Sequence, residues 1–204
     1  MKLSPILAAS LFMPATIGLL VQVVEPHPWP YRLLALSLML MSLEQAHMAR
    51  VDLRHGEIVS LRSCDRRLDH FHRVVTLTIL GQVAGFSLAA WGYLGWGMAL
   101  ILLSLIGFNM AATIRLEPAH VPPVQAAGWR SRLDVLTLDA IALLLAVLWI
   151  AQRFEAWVAG GMFAITLVYG GSKLVTYSQS LWSKTSAVHI AHTAQEHPQP
   201  SQQN

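Results

Sequence analysis

The stretch MALILLSLIGF, residues 98–108, followed by NMAATI at 109–114, decides the fold. The apolar run it anchors, 97–114, carries no charge and nearly crosses a bilayer core of about 30 Å, which takes roughly 20 residues of helix. Five further segments are similar: 4–24, 32–49, 74–92, 135–151 and 156–177. Apolar residues lie all round them rather than along one stripe, the pattern expected when the surroundings are lipid. The spacing predicts an all-α, polytopic membrane protein. Its six transmembrane helices form one domain over 1–178, followed by a polar, mobile tail over 179–204 that has no core-forming residues.

Composition agrees. Of 204 residues, 54% are hydrophobic and 12% charged, with a mean hydropathy of +0.49. Soluble domains carry about a quarter of their residues as Asp, Glu, Lys and Arg. Disorder, a collagen-like fibre and a disulfide-rich scaffold are excluded. The pI near 9.4 comes from a net charge of only +3, so no nucleic-acid partner is expected. The single cysteine, Cys64, rules out an internal disulfide and an all-cysteine metal site; among Arg62, Arg66 and Arg67 it reads as an incidental thiol in a basic loop.

Short connections at 25–31, 92–97 and 152–155 alternate with longer ones at 50–73 and 115–134, so the chain reads as three antiparallel hairpins. Trp29, Tyr31, Trp91, Tyr93, Trp96 and Trp157 fall near the short turns, where an aromatic belt belongs. Eleven basic residues lie on the side of the long connections and the termini, against Arg32 and Arg153 on the other. That bias puts both termini and the long connections in the cytoplasm or its equivalent, with the protein in a plasma, inner or equivalent internal membrane. Pro14 is expected to kink a retained first helix, because Pro14-Ala15-Thr16 makes a poor cleavage site. A repeat of about 65 residues would relate Lys2-Leu3-Ser4, Arg67-Leu68-Asp69 and Arg132-Leu133-Asp134, each a basic residue, a leucine and a capping residue. The other explanation is shared punctuation at the starts of three similar hairpins. The connection from Glu57 to Leu68 reads either as a surface helix, with Arg62, Arg66 and Arg67 on anionic headgroups, or as a solvated connector.

Ionisable groups inside a bilayer are costly and usually face the bundle interior. Glu44, Asn109, Asp139 and Lys173 fall at one level, roughly 6–9 Å inside the cytoplasmic edge at 1.5 Å per residue, with Gln82 somewhat deeper. Asp139 and Lys173 are expected to pair across the last hairpin. Glu44 and His47 share a helical face in an E-x-x-H spacing, which carboxylate-bridged di-iron proteins use. Such sites need a second pair, and only Asp69, His70 and His72 remain; in a helix the imidazoles of His70 and His72 point apart. A metal or haem site from His47, Glu44, His70 and His72 is therefore one reading, and interfacial histidines beside arginines are the plainer one. Gly81 with Gly85, Gly160 with Gly161, and Gly170 with Gly171 predict close helix packing. No metalloprotease, phosphate-loop, dinucleotide or nucleophile-elbow motif occurs, and no cofactor is required.

Three functions follow, in order of expectation. The first is a non-enzymatic accessory or assembly subunit of a membrane complex, in contact with anionic lipid and with other subunits or a second copy. The second is a small ion or solute transporter or channel using the polar tier. The third is a haem- or metal-binding membrane enzyme.

Overall fold

A computed structural model describes residues 4–61, 65–116 and 124–170. The chain is mostly helical. Helices α1 (Pro5–Ser10), α2 (Met13–Val24), α3 (Trp29–Ser60), α4 (Arg67–Ala90), α5 (Leu94–Ala111) and α6 (Leu133–Ile150) are followed by α7 (Glu155–Gly170). A first compact unit runs to Thr166 and a second begins at Leu167; the packing below belongs to the first. Among the described residues four spans are long and apolar enough to cross a membrane: Pro5–Val24, Arg67–Ala90, Leu94–Ala111 and Trp129–Ile150.

The expected first helix, 4–24, is broken at Leu11–Phe12. Pro14 lies in the first turn of α2; it has no N–H to give to Ser10, and its ring would crowd that carbonyl. Phe12 is fully buried and meets the Phe86 ring edge-on at 5.9 Å, which anchors the break to α4. The expected second span, 32–49, is only the first part of a 32-residue helix. At about 48 Å, α3 is longer than a bilayer core. It is absent from the four apolar spans because Arg32, Glu44, Gln45 and His47 interrupt it. Among the described residues of the 57–68 connection, Glu57–Ser60 continue α3, and α4 already begins at Arg67 rather than 74. The buried Ala49, Leu53, Gly56 and Val59 recur at helical spacing and hold this extension against the bundle.

The fold is not wholly α. In the connection expected at 115–134, Ile114–Leu116 pairs antiparallel with Val124–Ala126, Ile114 opposite Ala126. Ile114 and Val124 are buried beneath it. The backbone turns extended at Ala112, which ends α5 ahead of the strand. This hairpin also separates the supposed repeats, since Arg50-Val51-Asp52, one repeat length earlier, is helical. Asp69 and Asp134 lie inside their first turns rather than at the caps, where a carboxylate still complements the helix dipole. The Arg67 guanidinium and its backbone N–H hold the Asp65 carboxyl below the usual carboxylate range.

Helix α4 packs on α5, α5 on α6, and α2 on both α3 and α4. The α4–α5 turn places Gly92 at φ +97°. Gly92 N–H donates to the Ala89 carbonyl at 2.9 Å and Tyr93 N–H to the Leu88 carbonyl at 3.2 Å, the paired closure that glycine favours at a helix end. The α6–α7 turn repeats this with Gln152 at φ +55°. Glycines set the close approaches. A Cβ on Gly85 would stand 2.7 Å from Ile101 Cγ1 and 2.9 Å from the Gly97 carbonyl, and one on Gly97 would stand 2.6 Å from the Ala89 nitrogen. Gly81 faces the Ser104 hydroxyl, and Gly95 leaves 2.7 Å for Ile150. Among the described residues, a Cβ on Gly160 would meet nothing within 4 Å and one on Gly161 only Leu145 at 3.5 Å, so the close packing predicted there is not seen. Gly171 lies outside the described residues.

Gly85→Ala should destabilise the detergent-solubilised protein by about 1–3 kcal/mol, the usual cost of overpacking. Gly107→Ala, where a Cβ meets nothing within 4 Å, should be neutral or slightly stabilising. Thermal unfolding of the two variants side by side checks the pair.

Candidate functional site

Three polar contacts each join one pair of neighbouring helices. Helix α2 meets α3 through the hydroxyls of Thr16 and Ser42, 2.8 Å apart, with both residues buried. Helix α3 meets α4 where Gln82 Nε2 donates to Gln45 Oε1 at 3.0 Å. Helix α5 meets α6 where Asn109 Nδ2 donates to Asp139 Oδ2 at 3.2 Å; both residues are about 8% exposed. In hydrocarbon a buried amide or carboxyl group needs such a partner, because no water replaces it.

The predicted tier is therefore distributed over two interfaces. Asn109 and Asp139 are joined between α5 and α6, Gln82 reaches Gln45 between α3 and α4, and Glu44 is half-buried on α3 with Oε1 shielded from solvent. Lys173, the expected partner of Asp139, lies outside the described residues, as do Lys2, Arg62, Cys64 and the tail. A groove of about 530 Å³ between α3 and α4 is lined by Gly56, Asp69, His72, Arg73 and Leu77, among others. A second, of about 440 Å³, follows the outer faces of α4 and α5 past Gly81 and Gly107. A third, of about 680 Å³, lies between Trp29 and Trp157 beside Gly160 and Gly161. None of the three is lined by Glu44, Gln82, Asn109 or Asp139.

The histidines serve different elements. His70 Nε2 lies 3.2 Å from the Ala111 carbonyl at the end of α5, one of the carbonyls a helix terminus leaves unpaired. His72 turns the other way: a Cβ on Gly56 of α3 would stand 3.2 Å from its ring. His47 is exposed on α3. Among the described residues no three of His, Cys, Asp and Glu converge as a metal-holding group. Arg66 is exposed, and Arg67 makes an ion pair with Asp65 at 2.7 Å.

One polar cluster has no counterpart in the sequence reading. At the short-turn end Tyr31 Oη donates to Gln22 Oε1 at 3.1 Å and approaches the Gly92 carbonyl at 3.2 Å, while Gln22 Nε2 donates to the Ala90 carbonyl at 3.2 Å. Arg32 Nε donates to the Val23 carbonyl at 2.7 Å. Together they bind the carbonyls freed by the ends of α2 and α4 to the start of α3. Tyr31 was legible as a belt aromatic; the signal for its second role is Gln22, a polar residue in the last turn of an apolar helix. Trp29, Trp91, Tyr93, Trp96 and Trp157 are all more than half exposed around this end.

The fold and site thus define a helical protein whose apolar spans suit a membrane and whose interior polar groups join helices in pairs. Comparison with models of known families, with curated proteins and with solved structures gives no match to this chain.

A double-mutant cycle separates paired contacts from a shared cavity. Asn109→Ala with Asp139→Ala should show coupling of about 0.6 kcal/mol, and not above about 1.7, the range for polar contacts between membrane helices. Asn109→Ala with Gln82→Ala should be additive within about 0.5 kcal/mol. Unfolding in detergent or bicelles measures both.

Proposed function

We propose that this chain is an accessory or assembly subunit of a membrane complex and catalyses no reaction of its own. In this reading it crosses the membrane six times, α3 and α7 adding to the four apolar spans. The termini and the connections around 61–66 and 112–132 face the cytoplasm. The eleven-to-two excess of basic residues supports this sidedness, as does the ring of exposed aromatics at the opposite end. Arg62, Arg66 and Arg67 would then lie at the level of anionic headgroups.

The observation that carries the functional reading is the division of the polar tier. A transport path needs its ionisable groups on one water-accessible route, each able to change partners. Here Gln45–Gln82 and Asn109–Asp139 occupy different helix interfaces, and the described grooves are lined by other residues. Such contacts fix helices in place, which is what a subunit that positions others requires. The apolar groove between Trp29 and Trp157, with open space over Gly160, leaves room for a neighbouring helix.

The test compares the protein in its own membrane with the purified chain. Mild-detergent extraction should yield a native assembly well above the 22.5 kDa of one chain and its micelle. Gly160→Trp should shrink that assembly without unfolding the protein. The purified chain in proteoliposomes should move ions no faster than empty vesicles. Ion or solute flux by the chain alone, abolished by Asp139→Asn, would replace this reading with a transporter.

A further inference from the structure

The groove between α3 and α4 contains two opposite charges that do not meet. Asp69 and Arg73 stand four residues apart on α4 and both line it. Four residues is the spacing at which a carboxylate and a guanidinium on a helix ordinarily pair. Among the described residues, however, neither forms an ion pair or a side-chain hydrogen bond. Both are exposed. Leu77, a further four residues along, lines the same groove and is 74% exposed.

The depth of these residues follows from the geometry of α4. The aromatic end of the helix is fixed by Trp91 and Tyr93. Counting back the roughly 20 residues that cross a bilayer core brings the opposite edge near Phe71. Arg73 is then at the edge, Asp69 just outside it and Leu77 within the hydrocarbon, in steps of about 6 Å. From inside outward, α4 presents an apolar surface, a cation and an anion. An aminophospholipid presents the complementary order: acyl chain, phosphate, then a primary ammonium two carbons further out. Thr76 adds a hydroxyl to the groove wall, where the His72 ring lies close against Gly56 of α3. At about 530 Å³ the groove is within the size range of small-ligand sites.

We propose that this groove binds the headgroup of an aminophospholipid of the phosphatidylethanolamine class. Its phosphate lies on Arg73, its ammonium on Asp69, and one acyl chain starts along Leu77. A glycerol headgroup would offer Asp69 neutral hydroxyls in place of an ammonium, a weaker partner for a carboxylate. A choline headgroup would fill the position with methyl groups that cannot donate to the carboxylate. The inference rests on the membrane placement of α4 and is independent of the accessory role.

The experiment uses the full-length purified protein, delipidated in detergent. Thermal unfolding is followed as dioleoyl phosphatidylethanolamine, phosphatidylcholine, phosphatidylglycerol or inorganic phosphate is added. Phosphatidylethanolamine should raise the Tm at about tenfold lower concentration than the other two lipids, the selectivity of one charge-assisted hydrogen bond. Inorganic phosphate should leave Tm unchanged. Exchanging the charges, Asp69→Arg with Arg73→Asp, keeps composition and net charge but inverts their order, and should abolish the preference. The milder Asp69→Asn, which leaves Arg73 in place, should reduce discrimination between ethanolamine and choline without weakening lipid binding as a whole. Equal stabilisation by all three lipids, preference for phosphatidylglycerol, a full effect of phosphate alone, or an exchanged variant that keeps its preference would each overturn the proposal. Alkaline carbonate extraction of the wild type separates the two failures. A chain released by carbonate defeats the membrane placement and the lipid site together; a retained chain without lipid preference defeats the site alone.

Discussion

Helices α4 and α5 lie backbone against backbone, and the rest of the unit is arranged around that approach. The Gly85 and Gly97 carbonyls each stand where the other helix has no side chain, and Ala89 and Ile101 close the contact on either side. Within a bilayer there is little hydrophobic gain from moving a leucine off lipid onto protein. What holds two helices together is the dispersion energy of close-packed atoms, which falls steeply with any gap. Glycine at the crossing is what lets the main chains come near enough. The Gly92 turn fixes the hairpin at one end. Helix α5 then offers Gly95 to α6, and Ala90 of α4 fits against Gly18 of α2. One small-residue approach per interface is propagated outward from the central pair.

Polar side chains add register to this packing. Thr16–Ser42, Gln45–Gln82 and Asn109–Asp139 each fasten one pair of neighbouring helices. A hydrogen bond of this kind is worth little in net stability, but an unpaired amide in hydrocarbon is costly, so sliding one helix past its neighbour is penalised. The short-turn end is closed by Tyr31, Gln22 and Arg32, and the other end by Arg132, which donates to the Ile114 carbonyl and lies 5.3 Å over the Phe108 ring. In a bundle so fixed each helix is held in one register against its neighbour. The functional proposal and the lipid site both draw on that rigidity, one inside the bundle and the other on its surface.

Some of this was legible in the sequence. Pro14 marked the break in the first span because a missing N–H acts locally whatever surrounds it. Gly81 and Gly85 marked a packing face because two small residues four apart lie on one side of a helix. Gly97, the partner of Gly85, and Gly95, which faces α6, were hidden inside a run read as a turn, and nothing in one sequence pairs residues across helices. The length of α3 was missed because Glu44, Gln45 and His47 were read as the end of a span. The evidence for continuation was nonetheless present in the helical spacing of Ala49, Leu53, Gly56 and Val59. The hairpin at Ile114–Leu116 was invisible because three residues carry no periodicity. Counting along each helix gives an expected depth for the tier; its division between two interfaces depends on rotation about each helix axis, which counting does not give.

The central claim is that these interior polar groups are dry and paired helix to helix, with no common water-filled path. The direct measurement is labelling of a single cysteine in sealed membrane vesicles by a small, membrane-impermeant thiol reagent. It uses Asn109→Cys in a Cys64→Ser background, with native Cys64 of the wild type as the reference for the side that the proposed orientation makes cytoplasmic. The account predicts rapid labelling of Cys64 from that side and no labelling at position 109 from either side. Labelling at 109 at a rate comparable to Cys64 would place water at Asp139 and contradict it.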